Sequence, residues 1–303
     1  MEIIRHKEKN ISEQTAVALG NFDGLHTAHM KIINACKTYA IENCLKSGVM
    51  LFESHTLNLI NGNKVDVITP QAEKINILND NGIDFVYCRE FDEAFMKLSP
   101  EEFAVQLKTT LNVSAVFVGY DYRFGYRAEG DAQKLTELGK KHVFNVTVVD
   151  KVEFDGEAVK SSRIRKLDSE GEIEMATHML GRMFSITGNV ERGFGNGRKL
   201  GVPTANISYQ SDMLLPGNGV YGGYTTVDGI RYKSVINVGN NPTFGAEKIT
   251  VESHIIDFCK DIYDNDVTVE FAFKIRNDIK FKNIDELVNQ IRKDIEQAKI
   301  RLD

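Results

Sequence analysis

The sequence predicts an α/β first half, a doubly wound parallel sheet of Rossmann-like type, followed by a small antiparallel β-barrel and a terminal helix. Two observations support this fold class. Short apolar runs alternate with helix-period segments in the first half, whereas glycine clusters and β-rich runs dominate after about Arg182. Because 303 residues exceed one ordinary hydrophobic core, we expect two domains, at 1–182 and 183–303.

The elements of the first half follow from hydrophobic spacing. Four short apolar runs predict strands, at 15–19, 49–52, 85–88 and 113–118. A glycine-bounded turn follows the first run, and the next segment places Ile33, Cys36, Ala40, Ile41, Cys44 and Leu45 at helical spacing. Further helices are expected at 101–110 and 132–140, which completes an alternating order of strands and helices.

The second half reads as β-rich until its last segment. Strands are expected at 220–227, 232–238, 250–258 and 267–273. The final helix has one apolar face, formed by Ile284, Leu287, Val288, Ile291, Ile295 and Ala298. Asn283 is placed to cap this helix, with Glu286 three residues later. We expect the helix to pack against the barrel.

Composition excludes several classes of function. With 37 basic and 43 acidic residues the net charge is −6, which argues against general binding to nucleic acid or an anionic membrane. No stretch approaches the roughly 18 apolar residues of a membrane span, and the N-terminus lacks the apolar core of a signal peptide. Four cysteines without a paired motif predict reduced thiols and a cytoplasmic protein: Cys36, Cys44, Cys88 and Cys259.

The segment 20–29, GNFDGLHTAH, joins the first strand to the first helix. Free backbone amides at a helix N-terminus bind anions, so this position favours phosphate. His26 and His29 lie three residues apart, on the same side of a starting helix, where both can donate hydrogen bonds to phosphate oxygens. The alternative is a polar turn with incidental histidines.

This segment resembles the GNFDGxHxGH motif in the adenylyltransferase half of bacterial bifunctional riboflavin kinase/FAD synthetases. The resemblance implies a nucleotidyltransferase-like domain in which His26 and His29 are catalytic and Asn21 handles ATP phosphates. Segments 51–56, 118–125 and 160–165 resemble the family's TFDPHP, VGxDFxFG and ISSTxIR motifs. They add a catalytic residue, Arg165, and four nucleotide-binding residues, His55, Asp121, Ser161 and Ser162. A solvated basic loop is the alternative for 160–165.

Three departures from this pattern bear on the first site. Ala28 replaces the glycine before the second histidine and adds a methyl group where backbone and nucleotide approach closely. Segment 51–56 keeps His55 but loses both prolines and the threonine, and Lys160 replaces the first residue of the SST triplet. Because adenylyl transfer depends on positioning, these changes predict weak or lost FMN adenylylation with nucleotide binding retained.

The run 193–206, GFGNGRKLGVPTAN, begins with a glycine-rich bend and continues with two cationic residues, Arg198 and Lys199. The proline at 203 favours an extended backbone for the residue before it. On a strand Thr204 and Asn206 share one face and offer oxygen ligands to Mg²⁺. A barrel corner with a basic turn is the alternative. The complete run closely resembles the GRxLGxPTAN signature of flavokinases. That resemblance implies a nucleotide site made of Gly195, Gly197, Arg198, Lys199, Gly201, Pro203, Thr204 and Asn206, with Thr204 and Asn206 also binding the metal.

Later segments follow the flavokinase order. Segments 219–222 and 237–244 match the family's GVY and NxGxxPTF motifs, and 276–281 resembles RxExKF with Asp278 in place of the glutamate. Segment 251–258 matches VExHxxDF, whose glutamate, here Glu252, is implied to be the general base. On a strand Glu252 and His254 share one face. An exposed strand face is the alternative.

The resemblance implies two reactions with ATP and magnesium: riboflavin to FMN, then FMN to FAD. Two alternatives stay open from the sequence. One is a riboflavin kinase whose first domain is weak or inactive as an adenylyltransferase, which the departures favour. The other is a flavin-binding regulator without turnover, which would be expected to have lost Thr204, Asn206 or Glu252. Small-molecule substrates are the only partners predicted, and the sequence gives no oligomeric state.

Overall fold

The computed structural model describes residues 1–8, 10–53, 65–193, 197, 201–240 and 249–302. Contacts between Cα atoms divide the chain into two compact units, Met1–Ser161 and Ser162–Asp303. The boundary expected at 182 falls inside the second unit and stays a prediction. In the described ranges, no helix is both long and apolar enough to cross a membrane.

The first unit is built on a six-stranded parallel sheet. Its described strands, in chain order, are β1 (Glu2–Arg5), β2 (Thr15–Leu19), β3 (Lys46–Phe52), β4 (Phe85–Arg89), β5 (Val113–Gly119), β6 (Arg123–Phe124), β7 (Gly130–Asp131), β8 (Asn145–Val149), β9 (Glu153–Phe154) and β10 (Glu157–Ala158). The sheet order is β1-β4-β3-β2-β5-β8, and β6-β7 and β9-β10 form separate pairs. Its helices are α1 (Thr27–Glu42), α2 (Gln71–Asp80), α3 (Glu93–Met96), α4 (Pro100–Leu111) and α5 (Ala132–His142).

Both faces of this sheet are covered, which explains the continuous apolar runs of its strands. Val17 and Leu19 of β2 face one cluster with residues of α4 and α5, including Leu107. Ala16 and Ala18 of the same strand face a second cluster with residues of α1, including Ile33. The two-residue period of the strand therefore divides the core between the faces, and the predicted doubly wound architecture is confirmed.

The first helix is shorter than its apolar spacing predicts. It ends at Glu42, Asn43 is its C-cap, and Cys44 takes a left-handed φ of 54°. Ile41, expected on the buried face, is 68% exposed. The expectation was wrong here because the chain turns away from the helix path to enter β3. Among the elements that the sequence did not predict are the edge strands β1 and β8, and helix α2.

The second unit is a closed antiparallel barrel with helices before and after it. Its described elements are α6 (Ser161–Glu170), α7 (Ile173–Leu180), β11 (Phe184–Glu191), β12 (Ala205–Ile207), β13 (Gly219–Val227), β14 (Ile230–Asn240), β15 (Ile249–Ile255), β16 (Asp266–Arg276) and α8 (Ile284–Arg301). The barrel order is β11-β12-β15-β14-β13-β16, closed by pairing of β11 with β16. The predicted barrel and terminal helix are confirmed.

Helix α8 packs on the outside of the barrel, as expected. Ala298 lies in a buried cluster with Val220 and Val235, and the Asn283 side chain accepts a hydrogen bond from the backbone of Glu286 at 2.9 Å. Ile284 does not join this cluster and is 65% exposed, because it lies in the first turn, before the helix reaches the barrel.

Candidate active sites

The loop between β2 and α1 lies at the carboxyl end of the parallel sheet. Strand β2 has β3 on one side and β5 on the other, so the chain order reverses beside it, and ligands bind at such switch points. The loop backbone takes left-handed φ angles at Phe22 (46°), Gly24 (87°) and Leu25 (41°). Non-glycine residues adopt this conformation at a cost, and such positions concentrate at ligand sites.

The two predicted histidines contact each other at the start of α1. His26 is the N-cap, and its Nδ1 accepts a hydrogen bond from the His29 amide at 3.3 Å. Their rings stack with centroids 3.5 Å apart. Because Nδ1 of His26 accepts, a neutral His26 carries its proton on Nε2. The structure therefore confirms that these side chains lie together.

His29 has the electrostatics of a neutral imidazole. Its Nδ1 is buried and has no hydrogen-bond partner among the residues that the structure describes. Burial lowers the pKa of His29 well below its usual value, and the neighbouring His26 and Lys74 lower it further. At neutral pH the free protein thus keeps this ring uncharged, with one nitrogen able to accept or donate to a ligand.

Asp23 stabilises the β2–α1 loop through hydrogen bonds, a role that the sequence did not predict. Its side chain is buried and accepts hydrogen bonds from the backbone amides of Ile68 at 3.1 Å and Thr69 at 3.4 Å. Its backbone carbonyl accepts a hydrogen bond from Ser161 Oγ at 2.9 Å. The predicted residue Ser161 is therefore attached to the β2–α1 loop across 138 positions of sequence.

Two residues of the other predicted motifs also meet. Asp121 follows β5, and its carboxylate lies 3.8 Å from the ammonium of Lys160, with the two side chains 58% and 50% exposed. The substitution at Lys160 thus adds a cation beside a predicted nucleotide-binding acid. Asn21 is exposed in the β2–α1 loop.

The structure describes two of the three remaining predicted residues of this motif set. Ser162 is exposed, Arg165 is half-buried, and both belong to α6 in the second unit. His55 lies outside the described residues. The roles of these three residues stay predictions.

An aromatic cluster lies where β3 and β4 end, and no sequence signal identified it. Phe52, Phe91 and Phe95 make edge contacts with centroids 5.2–5.7 Å apart. The guanidinium of Arg89 lies 4.9 Å from the centre of the Phe95 ring, and its buried Nε has no hydrogen-bond partner in the described ranges. Three phenylalanines therefore form an apolar surface beside the Arg89 cation.

The barrel site is arranged by strand register. Asn206 of β12 lies directly opposite Glu191 of β11 on one side and Glu252 of β15 on the other, and Glu252 lies opposite Asn237 of β14. Opposed residues of an antiparallel pair point to the same face. Along β15 Glu252 and His254 are half-buried while their neighbours are buried, so this row of four polar residues faces away from the barrel interior. The expected shared face of Glu252 and His254 is confirmed.

Side-chain contacts join the signature residues. Thr204 Oγ1 donates a hydrogen bond to Glu252 Oε2 at 3.2 Å. A Cβ added to Gly193 would lie 2.2 Å from Asn206 Nδ2, and one added to Gly197 would lie 3.2 Å from Thr204 Oγ1. The backbone at Gly193 and Gly197 therefore lies close to both predicted metal ligands, which explains why these two positions lack a side chain.

The entrance to β12 is held by a side chain. His254 Nδ1 lies 2.8 Å from the carbonyl oxygen of Pro203, and because a carbonyl only accepts, Nδ1 carries the proton. Gly201 has a left-handed φ of 75°, which turns the chain into this segment. Three predicted binding residues, Gly195, Arg198 and Lys199, lie outside the described residues.

The donor set suits a hard cation. The Thr204 hydroxyl, the Asn206 amide and the Glu252 carboxylate supply oxygen atoms within one contact group. Mg²⁺ prefers oxygen ligands and is held in proteins by few carboxylates together with substrate phosphates. These residues therefore fit the expected metal.

The matches to known families also divide the chain into two consecutive parts. Residues 8–163 match the family described as FAD synthetase, and residues 180–302 match the family described as riboflavin kinase. The protein of Bacillus subtilis (strain 168) named bifunctional riboflavin kinase/FMN adenylyltransferase is 34% identical over 304 residues, 97% of this chain and 96% of that protein. A protein with the same name from Escherichia coli (strain K12) is 32% identical over 93% of this chain and 91% of its own.

A solved structure from Streptococcus pneumoniae has the same fold. It is titled a macrolide-efflux protein, has a TM-score of 0.89 and 28% sequence identity, and the match covers 99% of both chains. The relatives named above span nearly the whole of this chain, and the two family matches together cover most of it. The chain therefore belongs to the family of bifunctional riboflavin kinases/FMN adenylyltransferases.

Proposed function

We propose that this chain makes FMN and then FAD: the barrel unit phosphorylates riboflavin, and the parallel-sheet unit adenylylates FMN. The observation that carries the kinase half is the bond from Thr204 to Glu252, in the row that Glu252 shares with Asn206. This arrangement supports the proposal that Glu252 is the base and that Thr204 and Asn206 bind phosphate and metal. ATP is the donor for both reactions.

In the kinase step Glu252 accepts the proton of the riboflavin 5′-hydroxyl as that oxygen bonds to the γ-phosphorus of ATP and the bond to ADP breaks. Thr204 occupies one carboxylate oxygen of Glu252 and so fixes the direction of the other. Thr204 and Asn206 also hold phosphate oxygens and Mg²⁺, which supplies neutralisation of the phosphate charge when bound. The absence of side chains at Gly193 and Gly197 lets the backbone approach Asn206 and Thr204 closely.

In the adenylylation step a phosphate oxygen of FMN attacks the α-phosphorus of ATP, and pyrophosphate leaves. Amides at the start of α1, the Nε2–H of His26 and the neutral ring of His29 stabilise the charge that develops on the phosphates. Ser161 is attached to the same loop. Asn21, Asp121 and His55 complete the proposed nucleotide site in this unit, and the roles of Ser162 and Arg165 rest on the resemblance of their motif alone.

The aromatic cluster supports a flavin in the same unit. Phe52, Phe91 and Phe95 offer an apolar surface for a planar ring system, and Arg89 lies beside them with an unpaired Nε. The cluster lies at the carboxyl ends of the strands, the same edge of the sheet as the β2–α1 loop. FMN bound there faces the nucleotide edge of the unit.

Two departures from the family motifs are accommodated in the structure. Ala28 is half-buried within the first turn of α1, and Lys160 is paired with Asp121. The two family matches and the bifunctional relatives favour two activities over a kinase-only enzyme or a regulator without turnover. All four cysteines are free thiols, which supports the proposed cytoplasmic location.

A time course of product formation tests both activities. The purified chain is incubated with riboflavin, ATP and Mg²⁺, and riboflavin, FMN and FAD are separated by chromatography; a second run starts from FMN. We expect FMN followed by FAD in the first run and FAD in the second, with both lost after chelation of the metal. FMN accumulating without FAD in either run would limit the function to the kinase, and no FMN from riboflavin would reject it.

A further inference from the structure

We propose that His254 is a positioning residue of the kinase site: it holds the Pro203 carbonyl and thereby sets the place of Thr204 relative to Glu252. The proposal rests on the kinase function of the barrel unit. His254 Nδ1 donates to the Pro203 oxygen at 2.8 Å, and the next residue along the chain, Thr204, donates to Glu252 at 3.2 Å. The peptide unit between Pro203 and Thr204 therefore connects the His254 imidazole to the proposed base, Glu252.

Strand pairing explains why a side chain is needed here. The β12–β15 ladder runs from Ile207 to Ala205, which lies opposite Ser253, and Pro203 and Thr204 precede the strand. Proline has no N–H and cannot extend the ladder by donating to β15. The imidazole, two residues from Glu252 on the same face of β15, fixes the chain where backbone pairing has ended.

The consequence for catalysis is geometric. Without the imidazole bond the Pro203–Thr204 peptide can rotate, and the hydroxyl that orients Glu252 moves with it. A displacement of about 1 Å at a phosphoryl-transfer site costs on the order of 100-fold in rate. His254 itself exchanges no proton in this scheme, so its role depends on one donor at the δ position of the ring.

Three substitutions at this position separate the possibilities. Asparagine keeps an N–H donor at the distance of Nδ1 from the backbone, glutamine offers one near the position of Nε2, and alanine offers none. For His254→Ala and His254→Gln we expect kcat for FMN formation to fall about 10- to 100-fold, with a smaller change in KM. For His254→Asn we expect most of the wild-type kcat to return, with an unchanged kcat–pH profile.

Thr250→Val is the matched control. Thr250 lies on the same face of β15 and donates a comparable bond to the Gly239 carbonyl at 3.1 Å, so its loss removes a similar contact without touching Pro203. We expect this variant to keep the wild-type kcat. FAD formation from FMN and the melting temperature, measured on every variant, report whether the chain is folded.

Two results would overturn the proposal while leaving the kinase function intact. Rescue by glutamine and not by asparagine would mean that Nε2 acts directly on substrate, and loss of one limb of the pH profile in His254→Asn would mean that the ring transfers a proton. Full kcat in folded His254→Ala would equally reject it. Failure of the kinase function itself would be visible in the wild-type protein, as absence of FMN.

Discussion

The two proposed sites are held by different kinds of structure. In the barrel, Asn206 and Glu252 are neighbours because β12 and β15 pair in one register. In the parallel-sheet unit, His26 and His29 are neighbours because they begin one helix, and the loop before them is attached to distant segments through Asp23. One site depends on strand register and the other on a loop with several attachments.

This difference predicts different tolerance to substitution. A register slip of one residue moves every side chain of a strand to the opposite face, so the barrel site cannot change gradually. The loop site uses backbone amides, which nearly every residue type supplies. Ala28 and Lys160 already occupy positions at which the family pattern has other residues. We therefore expect the largest single effects in the barrel.

Replacement of the proposed base has the largest expected effect. In Glu252→Gln the side chain keeps its size and its place opposite Asn206 but cannot accept the hydroxyl proton. FMN formation is expected to fall by about 10²- to 10⁴-fold, while FAD formation from FMN is unchanged. Glu270→Gln, on strand β16 of the same barrel, is the matched control. Wild-type turnover by Glu252→Gln would remove Glu252 from the role of base.

The loop site is tested by His29→Ala, for which the expected pattern is the reverse. Loss of the imidazole is expected to lower FAD formation from FMN by about 10²- to 10³-fold and to leave FMN formation from riboflavin intact. His142→Ala, which removes an imidazole paired with Glu101 at 2.6 Å in the same unit, serves as the control. Equal loss in both variants would indicate damage to the unit instead of to its site.

A methyl group at Gly193 tests the contact between the glycine-rich backbone and Asn206. The added Cβ would lie 2.2 Å from Asn206 Nδ2, so the amide must move away from the row it shares with Glu252. We expect Gly193→Ala to lower the rate of FMN formation by roughly 10- to 100-fold. FAD formation from FMN and the melting temperature show whether the effect is local, and an unchanged kinase rate would show that the position of Asn206 is not critical.

The two units also differ in how a buried aspartate is hydrogen-bonded, and this difference affects the pH dependence of stability. Asp23 accepts hydrogen bonds from two backbone amides, whereas both carboxylate oxygens of Asp168 in α6 are buried and have no hydrogen-bond partner within the described part of the chain. Burial raises the pKa of Asp168 to about 8. The folded state therefore binds a proton that the unfolded chain releases above its ordinary pKa of about 4, and stability falls as pH rises from about 4 to 8.

The substitution Asp168→Asn removes this titration. The variant is expected to be more stable than the wild type near pH 8, by several degrees in melting temperature, with the difference shrinking toward pH 4. Melting curves at pH 4, 6 and 8 measure it. A difference independent of pH would show that Asp168 does not carry the titration.

The smallest expected effect belongs to Ala28→Gly, which restores the family residue in the first turn of α1. More room for the nucleotide is expected to raise FAD formation slightly, by less than about tenfold. Glycine in a helix costs up to about 1 kcal/mol relative to alanine, so a small fall in melting temperature should accompany it. FMN formation from riboflavin is the internal reference, and a fall in FAD formation would show that the alanine methyl is not an obstacle.

Sequence patterns predicted most elements because short-range physics decides them. The alternation of β15 placed Glu252 and His254 on one face, and the apolar run at 113–118 became the buried strand β5. The same reasoning failed at Ile41, whose helical spacing says nothing of where the helix ends. Edge strand β1 and helix α2 carried too weak a periodic signal to be predicted.

The motifs also named residues whose contacts no spacing reveals. That Thr204 bonds Glu252, that His254 bonds Pro203, and that Ser161 bonds Asp23 depend on pairings across 48, 51 and 138 positions. The aromatic cluster around Phe95 was missed because its members come from separate loops and strand ends without a common period. Its only sequence signal is the closeness of Phe91 and Phe95.

By itself, the sequence determined the fold class and the two kinds of domain, and it predicted the residue types of both proposed sites, because periodicity and short motifs are local properties of the chain. The tertiary structure alone decided which of those residues meet. The register of β12 against β15 placed Asn206 beside Glu252, and burial of the His29 ring lowered its pKa. Packing around α6 left the carboxylate of Asp168 without a hydrogen-bond partner among the described residues. These results depend on distances and solvent access that arise only when segments far apart in sequence pack together.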